Sequence, residues 1–133
     1  MADKTPLAPA LVSEFVGKSH GDLDRVRELL GQYPALVNAA WDWGDGDWET
    51  GLGAAAHVGR RDIALFLLEN GARLDIFAAA MLGRLEIVRA TIEAFPGARH
   101  WRGPHGIPLL KHAEMGGPAA AAVADYLRTN TGA

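Results

Sequence analysis

No cysteine occurs in the 133 residues, which excludes disulfide staples, thiolate metal ligands and cysteine nucleophiles. Serine is nearly as scarce: Ser13 and Ser19 are the only two, and neither stands in a G-x-S-x-G elbow, so serine hydrolase chemistry has no nucleophile to use. There is no P-loop, no H-E-x-x-H and no dinucleotide fingerprint. The chain also lacks any run of about 18 apolar residues that could span a membrane, and its start, MADKTPLAPA, has no apolar core of signal-peptide length. Basic residues form no block. With Lys+Arg 13 against Asp+Glu 16, the net charge is -3, and nucleic acid is an unfavourable partner. These absences leave a soluble, cytoplasmic, monomeric protein with no nucleic-acid or membrane partner as the expectation. At 49% apolar residues it has enough material for one core.

The stretch Trp41 to Gly59, WDWGDGDWETGLGAAAHVG, stands out. It packs Trp41, Trp43 and Trp48 together with Asp42, Asp45, Asp47 and Glu49, then enters an alanine-rich helical pattern that carries His57. Around it the chain repeats itself. In SEFVGKSHGDLDRVRELLGQYP, Leu23, Val26, Leu29 and Leu30 mark one helical face after Gly21. Asp22 is placed to cap that helix. The phrase returns as Gly59 with RRDIALFLLENGARLD and as Gly83 with RLEIVRATIEAFPGARH, each with an acidic residue three positions after the glycine. A looser copy opens at Gly116. Self-similarity of this kind indicates stacked repeats.

These residues resemble the ankyrin repeat. Thr50-Gly51-Leu52-Gly53-Ala54-Ala55 stands for its TPLHxA helix opening, Ile107-Pro108-Leu109-Leu110 for TPLH in the last copy, and Glu69-Asn70-Gly71-Ala72 for its second-helix exit. Gly53 and Leu110 occupy the place of the family's histidine. The resemblance implies an all-α, ankyrin-type α-solenoid of about four helix-turn-helix repeats over residues 11–128, with residues 1–10 a flexible leader and 129–133 a frayed tail. Turn glycines 21, 59, 83 and 116 lie 38, 24 and 33 positions apart. Against a period of about 33, the second repeat has an enlarged finger, at WDWGDGDWE, and the third finger is deleted.

In such an array, fingers and first helices line the concave side, so a missing third finger predicts a notch between the second and the fourth. Two positions before each turn glycine stand Ser19, His57, Met81 and Glu114; one before stand His20, Val58, Leu82 and Met115. Trp41, Trp43, Trp48, Asp47, Glu49, His57, Met81, Trp101, His105, His112 and Glu114 are the candidate ligand-binding residues. His57, Asp47, Glu49 and Glu114 are the candidates for acid/base catalysis, a carboxylate orienting the imidazole. The bland alternatives stand beside these. The tryptophans can form a satellite core, Asp45 suits a turn, His112 replaces a core alanine, and His20 and His100 fall in solvated turns. Asp45, Asp47 and Glu49 match the first three ligands of a calcium loop, but Thr50 and Ala56 stand where its glycine and glutamate belong. No metal and no cofactor is expected.

Two functions follow. The resemblance implies a binding module presenting a concave aromatic and acidic surface to a protein or peptide. The notch suggests instead a small-molecule pocket, or a metal-free hydrolase, isomerase or lyase built on His57.

Overall fold

Val26, Leu29 and Leu30, spaced for one helical face, are buried along the helix Leu23–Gln32 in the computed structural model, which describes residues 4–129. The same periodicity produces a mostly helical chain, eight α-helices among the described residues. They come in consecutive pairs: α1 (Pro9–Lys18) with α2 (Leu23–Gln32), α3 (Gly51–His57) with α4 (Arg61–Glu69), α5 (Ile76–Met81) with α6 (Leu85–Ala94), and α7 (Leu109–Met115) with α8 (Ala121–Thr129). Side-chain oxygens of Asp22, Thr50 and Asp75 accept from the backbone N–H three residues on and start α2, α3 and α5. Residues 1–3 and 130–133, which belong to the expected leader and tail, lie outside the described residues. Within the expected leader, α1 already begins at Pro9, and Leu7 rests against the core.

The first helix of each pair packs on that of the next, α1 on α3, α3 on α5 and α5 on α7, and α3 also touches α7. Alanine makes this approach possible. Ala54, Ala55, Ala56, Ala78, Ala79 and Ala80 are all buried, and side chains this small let helix backbones come close. Second helices supply the larger apolar side chains. Leu29, Ile63 and Leu67 join Phe15, Leu36 and Leu52 in one cluster, and Val88 and Val123 join Leu109 in another. No helix among the described residues is long and apolar enough to cross a membrane.

Between α2 and α3 the chain forms a hairpin, β1 (Ala40–Asp42) against β2 (Trp48–Thr50), with Trp41 opposite Glu49 and Asp42 opposite Trp48. Trp43 N–H continues the pairing to the Asp47 carbonyl at 3.0 Å. Because directly opposed residues share a face and neighbours alternate, Trp41, Trp43, Asp47 and Glu49 lie on one side and Trp48 on the other. The connecting turn has three consecutive positive φ angles, at Gly44, Asp45 and Gly46. The Asp42 carboxylate holds it by accepting from the Gly44 and Gly46 N–H groups. No such hairpin separates α4 from α5. Ahead of α7 a second excursion runs through a bridge between Arg102 and Pro108 and a tight turn at Pro104–Gly106.

Candidate functional site

Glu49 is the hub. Its position in β2 turns it inward, where it is 1% exposed, and its carboxylate meets side chains from three separate segments. Oε1 accepts the Trp43 indole N–H at 2.9 Å and lies 3.2 Å from His20 Nε2. Oε2 lies 3.0 Å from His57 Nε2 and 3.3 Å from His105 Nε2. Neither ring is in line to donate to Oε2, which is buried without a hydrogen-bond partner. The His20 and His57 Nε2 atoms are 3.1 Å apart. One donor atom from each of His20, Glu49, His57 and His105 can be chosen so that all four lie within 4.8 Å of one another.

Each ring is placed by its own segment. His20 follows the end of α1, and its Nδ1 contacts the Gly17 carbonyl at 3.0 Å, which also accepts the His20 backbone N–H at 3.2 Å. His57 is the last residue of α3, its ring edge-on to those of His20 and His105 at 5.0 and 5.1 Å. His105 sits at the tip of the second excursion with φ 63, a left-handed conformation worth about 1–3 kcal/mol of strain in a residue other than glycine. Asp47 holds it there. One carboxylate oxygen accepts the His105 backbone N–H at 2.7 Å and the other meets Nδ1 at 2.6 Å. Trp43 lies 6.3 Å from both the His20 and His105 rings, closing the ring of aromatics.

The electrostatics follow from these contacts. Burial pushes the Glu49 carboxyl up, but His20, His57 and Trp43 around it prevail and hold it at about 2. Glu49 raises the His20 imidazole above its usual range, against the effect of burial. Asp47 is lowered, first by the His105 backbone N–H and then by the His105 ring.

A carbonyl can only accept, so the Gly17 contact puts a proton on His20 Nδ1; the ionised Asp47 does the same for His105 Nδ1. In the neutral tautomer each ring then leaves a bare Nε2 within 3.3 Å of the Glu49 carboxylate. His57 Nε2 is within hydrogen-bond distance of the bare His20 Nε2, so a proton on His57 Nε2, or a cation among the four groups, relieves the repulsion between these lone pairs and the anionic Glu49.

Of the residues singled out by sequence, Trp43, Asp47, Glu49, His57 and His105 come together here. Asp47 pairs with His105, not with His57, because they cross the gap left between the hairpin and the second excursion. The others do not join. Trp41 packs on the core. Trp48 is on the opposite hairpin face and 61% exposed, and Trp101 is 46% exposed. Met81 is core, and Glu114 forms a surface ion pair with Arg128 at 3.0 Å. His112 is fully buried against Phe77, with Nδ1 on the Pro108 carbonyl at 2.9 Å and Nε2 without a partner. Burial lowers its pKa. His20, expected in a solvated turn, belongs to the cluster; its place immediately before a turn glycine, close to the register of His57, is the signal in the sequence. As a metal pattern the sequence presents only a calcium-type carboxylate loop; the groups brought together here are three imidazoles and one carboxylate, far apart in sequence. Comparison with protein-family models, with curated proteins and with solved structures gave no match for this chain.

Proposed function

We propose that the chain is an ankyrin-type repeat protein, four helix-turn-helix repeats with an enlarged second finger and no third, that binds a divalent first-row transition metal ion through His20, Glu49, His57 and His105. The observation that carries this reading is the buried, unpartnered Oε2 of Glu49 with imidazole nitrogens beside it that do not point along hydrogen bonds to it. Glu49 Oε2 lies 3.0 Å from His57 Nε2 and 3.3 Å from His105 Nε2, near the roughly 3.3 Å between donors on a tetrahedron with metal–nitrogen bonds of about 2.0–2.1 Å, and one donor atom from each of the four residues can be chosen within 4.8 Å of the others. The outer contacts also suit a metal. A carboxylate on His105 Nδ1, a carbonyl on His20 Nδ1 and an indole N–H on Glu49 fix the orientation of three of the four ligands.

Three imidazoles favour zinc, iron, cobalt, nickel or copper over calcium or magnesium, which take oxygen shells. Glu49 closes the inner side of the site, while the side chains of His20, His57 and His105 keep 28%, 14% and 32% exposure. An ion there exchanges with solvent from the concave side.

The test is elemental analysis of protein purified without chelator, followed by Co2+ titration of the chelated protein with absorption as the readout. One ion per chain is expected, with visible bands lost in Glu49→Gln and His57→Ala. A proton alone among the four groups would give no stoichiometric metal and no Co2+ spectrum, and the reading would fail. A second reading, docking of a protein or peptide, is favoured by the exposed rings of Trp43, Trp48 and Trp101. It predicts a stoichiometric partner whose binding is lost on Trp48→Ala and kept in Glu49→Gln.

A further inference from the structure

His20 and His105 reach Glu49 from opposite directions, and in each case the approach passes over a glycine in the first turn of α3. A Cβ added at Gly51 would stand 2.8 Å from Phe15 Cε2 and 2.9 Å from Ser19 Oγ, both in the last turns of the helix that delivers His20. Ser19 is fully buried and its hydroxyl is already committed to the Phe15 carbonyl, so it has no room to retreat. A Cβ at Gly53 would stand 3.2 Å from Pro104 Cγ, the residue immediately before His105, and 3.6 Å from Glu49 Cγ. At about 100° per residue, positions two apart lie on nearly opposite sides of a helix. The sequence Glu49-Thr50-Gly51-Leu52-Gly53 thus places one ligand and, directly after it, two bare helix faces that look in opposite directions.

We infer that Gly51 and Gly53 are positioning residues of the His20–Glu49–His57–His105 site, each leaving empty the volume through which one histidine-bearing segment comes within reach of Glu49. Neither glycine has a positive φ, so backbone conformation does not require them. Both stand in the first turn of α3, where glycine still gives up more conformational freedom on folding than alanine. Closeness of approach is the remaining reason for them. The two differ in what they control: Gly51 sets the seat of α1, hence His20, and Gly53 sets the seat of the Pro104–Gly106 turn, hence His105. Leu52 between them points into the core and anchors the turn that carries both faces.

This inference rests on the metal-binding reading for its affinity readout, so a second readout is taken without metal. Gly53→Leu is expected to weaken Co2+ binding about tenfold or more, the range seen when groups that orient a metal ligand are lost, with Gly53→Ala intermediate. Adding Pro104→Ala, which removes the obstructing Cγ, should restore most of the affinity of Gly53→Ala. In a His105→Ala background Gly53→Ala should have no further effect. In the chelated protein, the His105 backbone amide resonance, shifted downfield by its bond to Asp47, should move toward the open position in Gly53→Leu and return with Pro104→Ala in Gly53→Ala. A role confined to stability predicts lower melting temperatures with unchanged affinity and an unchanged His105 amide; that result overturns the inference. Wild-type protein that binds no Co2+ refutes the metal reading, and the amide shift then decides the role of Gly53 on its own.

Discussion

Adding Zn2+ to the chelated protein should raise its melting temperature by about 10 °C, and the size of that shift follows from how the ligands are distributed. His20 comes from the first helix pair, Glu49 and His57 from the hairpin and α3, and His105 from the excursion before α7. An ion held by all four is bound only when these parts are docked together, so its binding free energy counts toward the stability of the whole array. At free Zn2+ a hundredfold above the dissociation constant, the gain is about 2.7 kcal/mol. Unfolding entropy of about 2.1 cal/mol/K per residue, taken over 133 residues, is about 0.28 kcal/mol/K, and the quotient is the shift. The assay is differential scanning calorimetry of wild type, Glu49→Gln and His57→Ala, each with chelator and with buffered Zn2+. Glu49→Gln is isosteric and keeps an oxygen for the Trp43 indole, so the chelated variant should fold; its zinc-induced shift should fall below about 3 °C, as for a site that has lost roughly two kilocalories of affinity. Equal shifts in wild type and both variants would mean that zinc acts elsewhere, and no shift in wild type would remove the site altogether.

Asp47→Asn removes the anion that holds His105 in its left-handed conformation, and zinc affinity measured against a chromophoric chelator should drop about 10–100-fold. His112 should make stability sensitive to acid. Its folded pKa is lowered by burial, so below about pH 6.5 the unfolded chain binds the proton more readily. Between pH 7 and 5 the wild type should therefore lose unfolding free energy relative to His112→Leu, at up to about 1.4 kcal/mol per pH unit; parallel pH profiles in urea melts would contradict this. Leu67→Ala, at a fully buried position of α4, should cost about 2–5 kcal/mol, and a loss well under one kilocalorie in the same melts would contradict the packing described.

Helix content was readable because its cause is local. Spacings such as Leu23, Val26, Leu29 and Leu30, capping oxygens at Asp22, Thr50 and Asp75, and glycines at the turns act over a few residues, and the mostly helical fold follows from them. Part of the site was readable for the same reason. The crowding of Trp43, Asp47 and Glu49 into one finger and the register of the turn glycines mark these residues and His57 as neighbours, while the hairpin register that separates them from Trp48 is a finding of the structure. The partners could not be read. Whether Asp47 meets His57 or His105 depends on how far the excursion before α7 reaches across, and His112, His100 and Glu114 are in local context no less plausible than His105.

The chain by itself determined the periodicity, the caps, the irregular glycine spacing and the crowding of tryptophan and carboxylate into one turn, all properties of neighbours along the backbone. Only the tertiary structure decided that His20, Glu49, His57 and His105 share one volume, since separations of up to 85 positions are closed by helix stacking and by the empty faces at Gly51 and Gly53. Convergence of that kind depends on the sum of many packing distances, and a sequence records none of them.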